Sequence, residues 1–434
     1  MKDKHLIIVS VDALVYEDLE YAKTLPMFSK LLENGSVIEK VKTIYPSLTH
    51  PVHATIMSGC TAGKTGIVSN ETFEVKRKDK IWFNYLNEVK CDTLFHAAKR
   101  KGLTTAACRW PVTAGDSGVI DYLVPEIMGT DVEGQSDMLS VYRKLGCGEN
   151  VIDIVEKALN LYGEEITHPV YDEVQIYCAA EIIKKYKPNV LFTHPGYVDN
   201  MRHKTGLFTD RVKESVKKTD EWLCVLYDAV CKAGIEDSTD FVVLSDHGHV
   251  NIVRTVCVNV FLRDAGLITL DDNGDVLSWD AYVASGGASA HVYLSRPDDK
   301  ELYNRVYKLL KNMADEKIYG FDKVFTTDEV KSAYGLFGDF SFVLETDGYT
   351  GFNDDWERPC VRDININDYR YGKSTHGHMP EKGPQPPFIA MGPSFRKGVV
   401  IPTGSILNHA PTFAKVLGIE LSDAEGKPVV DILK

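Results

Sequence analysis

Five short apolar runs constrain the fold of this chain most strongly, because each has the length of a β-strand. They cover residues 5–12, 189–194, 240–248, 290–295 and 387–393. The runs are almost unbroken and do not alternate with polar residues, which is typical of strands buried on both faces of a largely parallel sheet. Three of them have Asp or His at or next to their carboxyl ends. These runs predict a central sheet with polar side chains at one edge.

Amphipathic segments lie between the runs, and each is followed by Gly or by Pro. The clearest segments cover residues 26–34, 176–186, 210–232 and 411–417. Gly or Pro just beyond the last apolar position indicates the end of a helix. Strands that alternate with helices predict a layered α/β fold. Ligands of such sheets bind beyond the carboxyl ends of the strands, where the sequence places Asp12, His194, Asp246 and His247.

Two regions interrupt the alternation of strands and helices. Residues 71–170 mix charged residues with Gly and Trp, and we interpret them as an elaboration around the substrate pocket. Residues 296–375 begin with a helix at 299–315 and are then rich in Asp, Tyr and Gly. We therefore predict a catalytic core formed by residues 1–295 and 376–434, with residues 296–375 as an α+β insertion or cap.

The net charge of the chain limits the kinds of partner that it can bind. The 434 residues carry 62 Asp and Glu against 49 Lys and Arg, which gives a net charge of −13. A surface of that sign disfavours nucleic-acid polymers and anionic membranes. A small acidic substrate stays compatible with it, because a bound metal ion inverts the local field. A homo-oligomer is also compatible with the sequence.

Cysteine usage and the apolar runs predict a cytoplasmic location. The nine cysteines show no CxxC spacing, which is typical of reduced thiols. The apolar run at residues 6–11 is too short for a signal sequence. No stretch approaches the roughly 20 apolar residues of a transmembrane helix.

Three motifs contain residues that could bind a divalent ion. Asp199 and His203 share one face if their segment is helical, although a surface hydrogen bond would use the same spacing. Asp246 and His247 follow the run FVVLS, where burial is costly unless they pair or bind metal. The loop THGHMP contains His376 and His378, one of which could face solvent. His249 could be a third ligand, although a place behind the ligands or facing solvent is favoured, and the role of His409 stays open.

Asp12 and Thr49 complete the candidate set. Asp12 ends the first run, where an Asp that only caps the next helix is the alternative. Thr49 lies in YPSLTHP at the start of a helical segment, whose N-terminus would stabilise an alkoxide or a phosphate. A simple N-cap is the alternative for Thr49. Carboxylates and imidazoles without thiolates fit two divalent ions of hard to borderline character.

The order of the motifs resembles one known family. In chain order they are VDALV, YPSLTHPVHATIMSG, GIVSN, DNMRH, LSDHGH, THGHMP and HAPTFAKVLGIEL. Together they resemble the alkaline phosphatase superfamily, specifically its type I phosphodiesterase/nucleotide pyrophosphatase family and the related phosphonoacetate hydrolases. The resemblance implies an alkaline-phosphatase-like three-layer sandwich with a largely parallel central sheet. The chain departs from the usual pattern at Ala13, where Gly is normal, and at Val198, where Pro is normal.

The resemblance also implies the roles of individual residues. Thr49 would be the nucleophile that forms a phosphothreonine, and Asn70 in GIVSN would donate to a phosphoryl oxygen. Two divalent ions are implied, zinc by preference and manganese as the alternative. By position, one ion would be held by Asp12, Thr49, Asp246 and His247, and the other by Asp199, His203 and His376.

We predict a metal-dependent hydrolase of phosphodiesters of the nucleotide type, acting on a small phosphorylated substrate. A phosphonoacetate hydrolase or a threonine-type phosphomonoesterase would need Lys or Arg near the pocket, for which Arg109, Lys64 and the cluster at 76–78 are candidates. Each of these could instead be a solvated charge. A nucleotide base would need an aromatic contact, and the candidates, which could equally be core residues, are Phe73, Trp82 and Tyr85.

Two other classes of protein use the same residues. A phosphotransferase or mutase would pass the phosphoryl group to an acceptor hydroxyl under a cap that excludes water, which residues 296–375 could supply. A protein that binds metal without catalysis is disfavoured, because a complete set of buried ligands costs stability when no ion is bound.

Overall fold

A large sheet forms the centre of the chain. The computed structural model describes residues 4–75, 80–115, 118–135 and 137–434. Its strands, in chain order, are β1 His5–Ser10, β2 Ser36–Lys42, β3 Thr105–Cys108, β4 Tyr122–Val124, β5 Val190–Thr193, β6 Thr239–Leu244, β7 Val250–Asn251, β8 Arg254–Val256, β9 Ile268–Leu270, β10 Val276–Trp279, β11 Ala281–Ser285, β12 Ser289–Leu294, β13 Phe321–Thr326, β14 Phe342–Thr346, β15 Thr350–Phe352, β16 Val361–Arg362, β17 Ser374–Thr375, β18 Phe388–Met391 and β19 Val400–Ser405.

Helices cover the sheet and connect its strands. In chain order they are α1 Leu19–Ala22, α2 Pro26–Asn34, α3 Thr49–Ser58, α4 Ala62–Thr65, α5 Leu94–Arg100, α6 Met138–Lys144, α7 Glu149–Tyr162, α8 Val170–Tyr186, α9 Tyr197–Thr205, α10 Asp210–Ala233, α11 Val258–Asp264, α12 Lys300–Glu316, α13 Thr327–Tyr334 and α14 His409–Leu417. Within the described ranges, no helix combines the length and the apolar character needed to cross a membrane.

The central sheet has eight strands in the order β19-β2-β18-β6-β1-β5-β3-β4. Strand β1 is parallel to both of its neighbours, β5 and β6. Strand β18 is antiparallel to β6 and to β2, and it is the one exception to the parallel pairing of this sheet in the described residues. The prediction of a largely parallel sheet is confirmed.

Strand β1 shows why the apolar runs are unbroken. Leu6 and Ile8 pack into one hydrophobic cluster, and Ile7 and Val9 pack into another on the opposite face. Neighbouring side chains of a strand point to opposite faces, so a sheet covered by helices on both sides needs apolar residues at every position. Full burial of each such side chain contributes about 1.5–3 kcal/mol. This arrangement confirms the three-layer α/β sandwich.

The predicted helices are present, with small shifts at their ends. Helix α2 has the predicted bounds, and α10 and α14 end before Gly234 and Gly418. Both glycines have a left-handed backbone, with φ of 69° and 66°. A residue with a side chain is strained in that conformation, so glycine favours the end of the helix there. Helix α8 begins at Val170, earlier than the sequence predicts.

A second, antiparallel sheet lies outside the central one. Its four strands have the order β11-β12-β14-β13. The run at 290–295 was predicted to join the central sheet, and this prediction is wrong, because β12 pairs antiparallel with β11 and β14. Helix α12 packs its apolar side chains into a hydrophobic cluster with this sheet. The domain boundaries stay a prediction.

Candidate active site

The polar residues predicted at the strand ends lie at the same edge of the central sheet. Asp12 follows β1, His194 follows β5, and Asp246 and His247 follow β6. Because these three strands are parallel neighbours, their carboxyl ends meet at one edge. The Nε2 atom of His194 lies 3.3 Å from the Oδ2 atom of Asp12. The convergence predicted from the sequence is present.

A first group of side chains surrounds the hydroxyl of Thr49. Its members are Asp12, Thr49, Asp246 and His247, and we call them the Thr49 group. The Oγ1 atom of Thr49 lies 3.2 Å from the Nε2 atom of His247. The same nitrogen lies 3.2 Å from Oδ2 of Asp246 and 3.5 Å from Oδ1 of Asp12.

A second group surrounds the carboxylate of Asp199. Its members are Asp199, His203, His249 and His376, and we call them the Asp199 group. Helix α9 places His203 one turn after Asp199, with its Nε2 atom 3.3 Å from Oδ2 of Asp199. The Nε2 atoms of His249 and His376 lie 2.6 Å and 3.8 Å from Oδ1 of Asp199.

The two groups are adjacent. One ligand atom from each of Asp12, Asp199 and His247 lies within 4.8 Å of the others, and the rings of His247 and His376 stack with centroids 4.0 Å apart. Burial and the nearby carboxylates of Asp199 and Asp246 raise the pKa of Asp12 well above its ordinary value. Negative charges this close together in a buried site need a cation among them.

The buried polar atoms of the Thr49 group test whether an ion fits there. Oδ1 of Asp12, Oδ2 of Asp246 and Nδ1 of His247 are buried and lack a hydrogen-bond partner among the described residues. The other oxygen of Asp246 accepts a hydrogen bond from the backbone N–H of Ala13 at 3.1 Å. Oxygen and imidazole atoms left without donors are suitable ligands for divalent ions, so the residues present fit such a group.

The turn after β1 shows why glycine is the usual residue at position 13 in the family pattern. Ala13 has a φ of 56°, in the left-handed region that favours glycine. A side chain in that conformation costs about 1–2 kcal/mol. The conformation is held by the Ala13 N–H bond to Asp246 and by the bond from Nε of Arg202 to the Ala13 carbonyl. Both contacts orient residues beside the site.

Thr49 is the first residue of α3, and Leu48 occupies the N-cap position. The N-cap role considered for Thr49 therefore does not apply, and its hydroxyl contacts His247 instead. All ten residues of α3 are buried. The hydroxyl lies at the positive end of the helix dipole, which stabilises negative charge on an oxygen.

Asn70 lies beside the start of this helix. Its Oδ1 atom accepts a hydrogen bond from the backbone N–H of His50 at 2.9 Å. This bond orients the side-chain amide so that its NH₂ group, which can only donate, is the part available to a ligand. Asn70 lines a cleft together with Thr49.

The cleft beside Thr49 has a volume of about 340 Å³. We call it the first cleft, and its lining residues include Thr49, Asn70, Trp82, Arg109, Glu126, Tyr171, His194 and His376. A volume of this size falls in the range of small-molecule sites.

Arg109 reaches the first cleft as a paired, buried cation. Its Nη1 atom lies 3.3 Å from Oδ1 of Asp172 and donates to Oε1 of Gln175 at 3.1 Å, and the guanidinium lies 3.6 Å from the ring centroid of Tyr171. The solvated-charge alternative is wrong for this residue. Lys64 instead donates to the Asp423 carbonyl, and residues 76–78 lie outside the described ranges.

Only one of the three aromatic candidates for a base contact lines the first cleft in the described part of the chain. Trp82 does so, with its ring 4.9 Å from that of His50. Phe73 stacks on Tyr293 at 3.6 Å and belongs to the packing against the second sheet. Tyr85 is partly exposed and lies against Gly115.

Sequence reasoning underestimated His249. Strands β7 and β17 pair antiparallel, and this pairing brings His249 beside Ser374 and the loop of His376. A signal was present, because the HGH spacing of residues 247–249 recurs at residues 376–378. His378 and His409 are buried but belong to neither group of ligand atoms.

The sequence analysis also missed Glu126 and His50, which face the first cleft. The Nε2 atom of His50 lies 3.3 Å from Oε2 of Glu126. Burial acts to raise the pKa of Glu126, but His50 and Arg109 outweigh it and hold that pKa below its ordinary value. Glu126 therefore carries a negative charge in the cleft. Nothing around it in the sequence, VPEIM, distinguishes it from a surface carboxylate.

The loop that carries His376 is anchored by Glu345 of β14. The backbone N–H of Met379 donates to Oε1 of Glu345 at 3.0 Å, and Nζ of Lys382 lies 3.4 Å from the same oxygen. Burial raises the pKa of Glu345 to about 7.

This shift predicts a pH dependence of stability. A carboxyl whose pKa is raised in the folded state stabilises the fold below its unfolded pKa of about 4.3, and that contribution is lost as the pH rises through about 7. We expect the free energy of unfolding of the wild type to fall by about 2–3 kcal/mol more than that of Glu345→Gln between pH 5 and pH 8. Urea unfolding at both pH values measures this difference, and equal slopes for the two proteins would contradict the prediction.

The chain is similar to one family over most of its length. The sequence profile described as type I phosphodiesterase / nucleotide pyrophosphatase matches residues 6–377. A venom phosphodiesterase from Naja atra is 24% identical over 249 residues, which cover 56% of this chain and 26% of the relative. Ectonucleotide pyrophosphatase/phosphodiesterase family member 1 from Rattus norvegicus is 23% identical over 261 residues, which cover 59% of this chain and 26% of the relative. The chain spans about a quarter of the length of these curated relatives.

Solved structures share the whole fold. Murine ectonucleotide pyrophosphatase / phosphodiesterase 5, in an inactive form in complex with AMP, superposes with a TM-score of 0.70 at 16% identity. The match covers 99% of this chain and 100% of that chain. The human protein of the same name gives a TM-score of 0.69 at 18% identity, with the same coverage of both chains. The alkaline-phosphatase-like architecture expected from the sequence is confirmed.

Proposed function

Because the chain belongs to the type I phosphodiesterase / nucleotide pyrophosphatase family, we propose that it hydrolyses phosphodiesters of the nucleotide type, with Thr49 as the nucleophile. Two features of the described residues support a diester substrate over a monoester or a phosphonate. They are the number of cavities at the site and the charge of the residues that line the first cleft.

Two cavities meet at the site, and this observation carries the proposal. The first cleft shares Asn70 and His376 with a second, smaller cavity of about 40 Å³. The second cavity is also lined by Gly286 and Asp354, which lie in or next to the second sheet. A phosphodiester carries two substituents on phosphorus. The first cleft, which Thr49 lines, and the second cavity, which adjoins it at Asn70 and His376, would give each substituent its own space. A monoester needs only one.

The charge of the first cleft supports the same choice. Monoesters and phosphonates carry an additional negative charge, which needs a cation that is not already paired. Arg109 is the single Lys or Arg among the described residues that line the first cleft, and it already pairs with Asp172. Glu126 adds a negative charge that would repel such a substrate.

We further infer that the chain binds two divalent ions, zinc by preference and manganese as the alternative. Asp12, Thr49, Asp246 and His247 would hold one ion, and Asp199, His203 and His376 would hold the other. Such ions lower the pKa of a bound hydroxyl and neutralise the charge that develops on phosphoryl oxygens.

The chain's own residues would position the reacting groups and stabilise the charge that develops on them. The hydroxyl oxygen of Thr49 would attack phosphorus in line with the leaving oxygen, so that a P–O bond to Thr49 forms as the bond to the leaving alcohol breaks. Water would then attack the phosphorus of this phosphothreonine, which still carries the second substituent of the diester. The bond from phosphorus to the Thr49 oxygen would break, which releases a phosphomonoester and regenerates the hydroxyl. The dipole of α3 and the NH₂ group of Asn70 would stabilise the negative phosphoryl oxygens throughout.

The role of Asn70 gives a prediction that needs only steady-state kinetics. We expect Asn70→Ala to lower kcat/KM for a diester by about 10²–10³-fold, the usual cost of removing one donor to a developing oxyanion. The matched control is Asn70→Asp, whose carboxylate still accepts the His50 N–H but cannot donate. Activity close to wild type in Asn70→Asp would contradict the donor role.

The preference for diesters is tested with paired p-nitrophenyl substrates. The zinc- or manganese-loaded protein is assayed on the p-nitrophenyl ester of thymidine monophosphate, on p-nitrophenyl phosphate and on phosphonoacetate. We expect kcat/KM for the diester to exceed that for the monoester by roughly 10²-fold, because discrimination by a charged group in a buried cleft is worth a few kcal/mol.

The variant Glu126→Gln is the control for this comparison. Removing the negative charge should raise the monoester rate several-fold and change the diester rate less, because the extra charge of the monoester is what Glu126 repels. Faster turnover of the monoester or of phosphonoacetate by the wild type would overturn the diester proposal. Lack of turnover on all three substrates would instead support the transfer of the phosphoryl group to an acceptor.

We also propose a cytoplasmic location, supported by the state of the thiols. All nine cysteines are free, and five of them are buried: Cys60, Cys108, Cys147, Cys178 and Cys257. Free buried thiols without disulfides are typical of a reducing compartment.

A further inference from the structure

The tautomers of the imidazoles in the Asp199 group can be derived from their partners. The Nδ1 atom of His203 lies 2.8 Å from the carbonyl oxygen of Ser374, and that of His376 lies 3.3 Å from the carbonyl oxygen of Ser47. A carbonyl can only accept, so both Nδ1 atoms carry the proton. In neutral imidazoles the Nε2 atoms then present lone pairs, and both face Asp199.

The same reasoning applies to His249 through the hydroxyl of Ser374. That hydroxyl donates its single proton to the carbonyl of Arg202 at 2.7 Å. The Nδ1 atom of His249, 2.9 Å from the same hydroxyl oxygen, must therefore be the donor to it. The lone pair of its Nε2 atom is then directed at Oδ1 of Asp199, 2.6 Å away.

Two acceptors at that distance repel each other unless a cation lies with them. His249 is fully buried, so water does not relieve the contact. Each of the three imidazoles is oriented through its Nδ1–H by a backbone carbonyl or a hydroxyl, which is how proteins orient histidines that bind metal. The three Nε2 atoms converge on one carboxylate.

We propose that His249 is a ligand of the ion held by Asp199, His203 and His376, which makes this a site of three imidazoles and one carboxylate. The proposal rests on the proposed function only for the presence of divalent ions. The Thr49 group offers three oxygen ligands and one imidazole. Imidazole favours zinc, and oxygen ligands favour magnesium and manganese. The two sites therefore differ in metal preference, and the Asp199 group takes up Zn²⁺ first.

The test uses the ion-free full chain with Zn²⁺ alone. With ¹⁵N-labelled histidine, one equivalent of Zn²⁺ should shift the Nε2 resonances of three histidines in the wild-type protein. In a titration against a chromophoric chelator, His249→Gln should weaken the tighter of two zinc dissociation constants by at least about tenfold and leave the weaker one unchanged. His409→Gln is the matched control, because His409 is a buried histidine that packs on Phe388 outside both groups.

Fewer than three shifted histidines in the wild type would overturn the proposal, and this measurement does not depend on whether a variant folds. If folded His249→Gln protein kept the tighter zinc dissociation constant of the wild type, the proposal would also be overturned. His249 would then only share a proton with Asp199. No substrate is present in these experiments. Failure of the ligand assignment is therefore distinguishable from failure of the diester assignment, which the turnover assays measure.

Discussion

Thr49→Ala should abolish turnover and leave the fold intact. We expect kcat on a diester to fall by roughly 10⁴-fold or more, the scale seen when the nucleophile of a covalent mechanism is removed. The fold should tolerate the change, because the Thr49 hydroxyl makes no capping bond to α3. Asp199, His203 and His376 do not use Thr49, so at least one ion should stay bound. Turnover and ion content measured on the same preparation check both parts.

A second threonine in the same helix provides the control. Thr55 is buried in α3, and its hydroxyl donates to the carbonyl of Cys60 at 2.7 Å. Thr55→Ala should therefore lower stability by about 1 kcal/mol and leave kcat close to wild type. If Thr49→Ala kept more than a tenth of the wild-type turnover, Thr49 would not be the nucleophile.

The residues that both the sequence reasoning and the structure bring together are those whose geometry is local. Asp199 and His203 share a helix face because 3.6 residues make a turn, and the structure brings their side chains to 3.3 Å. Asp12 and Asp246 were found because buried parallel strands produce apolar runs that stop where the sheet edge begins. In both cases a few neighbouring residues contain the information.

The features that sequence reasoning missed or disfavoured depend on contacts between distant residues. His249 enters its group because β7 pairs with β17, more than 120 residues away, and no local pattern specifies that pairing. The run at 290–295 has the composition of a central strand, but it forms β12 of the second sheet because it pairs with β11 and β14. Arg109 resembles a solvated charge until Asp172 and Tyr171, from α8, are placed beside it.

Asp199→Asn should have an effect nearly as large as Thr49→Ala, and for a different reason. Among the described residues, Asp199 is the one carboxylate of the Asp199 group, and it also lies within 4.8 Å of ligand atoms of Asp12 and His247 from the Thr49 group. An amide keeps the shape of the side chain but removes the charge that balances an ion. We expect the loss of one equivalent of bound ion and a fall in kcat of roughly 10³-fold or more.

A second buried carboxylate separates the loss of an ion from a general loss of stability. Asp172 accepts a hydrogen bond from the backbone N–H of Gly196 at 2.8 Å and pairs with Arg109 and His168, but it belongs to neither group. Asp172→Asn should lower the free energy of unfolding by about 3 kcal/mol, because it leaves Arg109 buried without its partner, and it should still bind two ions. The number of ions bound per chain, measured for Asp199→Asn and for Asp172→Asn, distinguishes the loss of a ligand from a general loss of stability. If Asp199→Asn also bound two ions, the carboxylate of Asp199 would not be a ligand. Its negative charge would then act on the bound substrate and not on an ion.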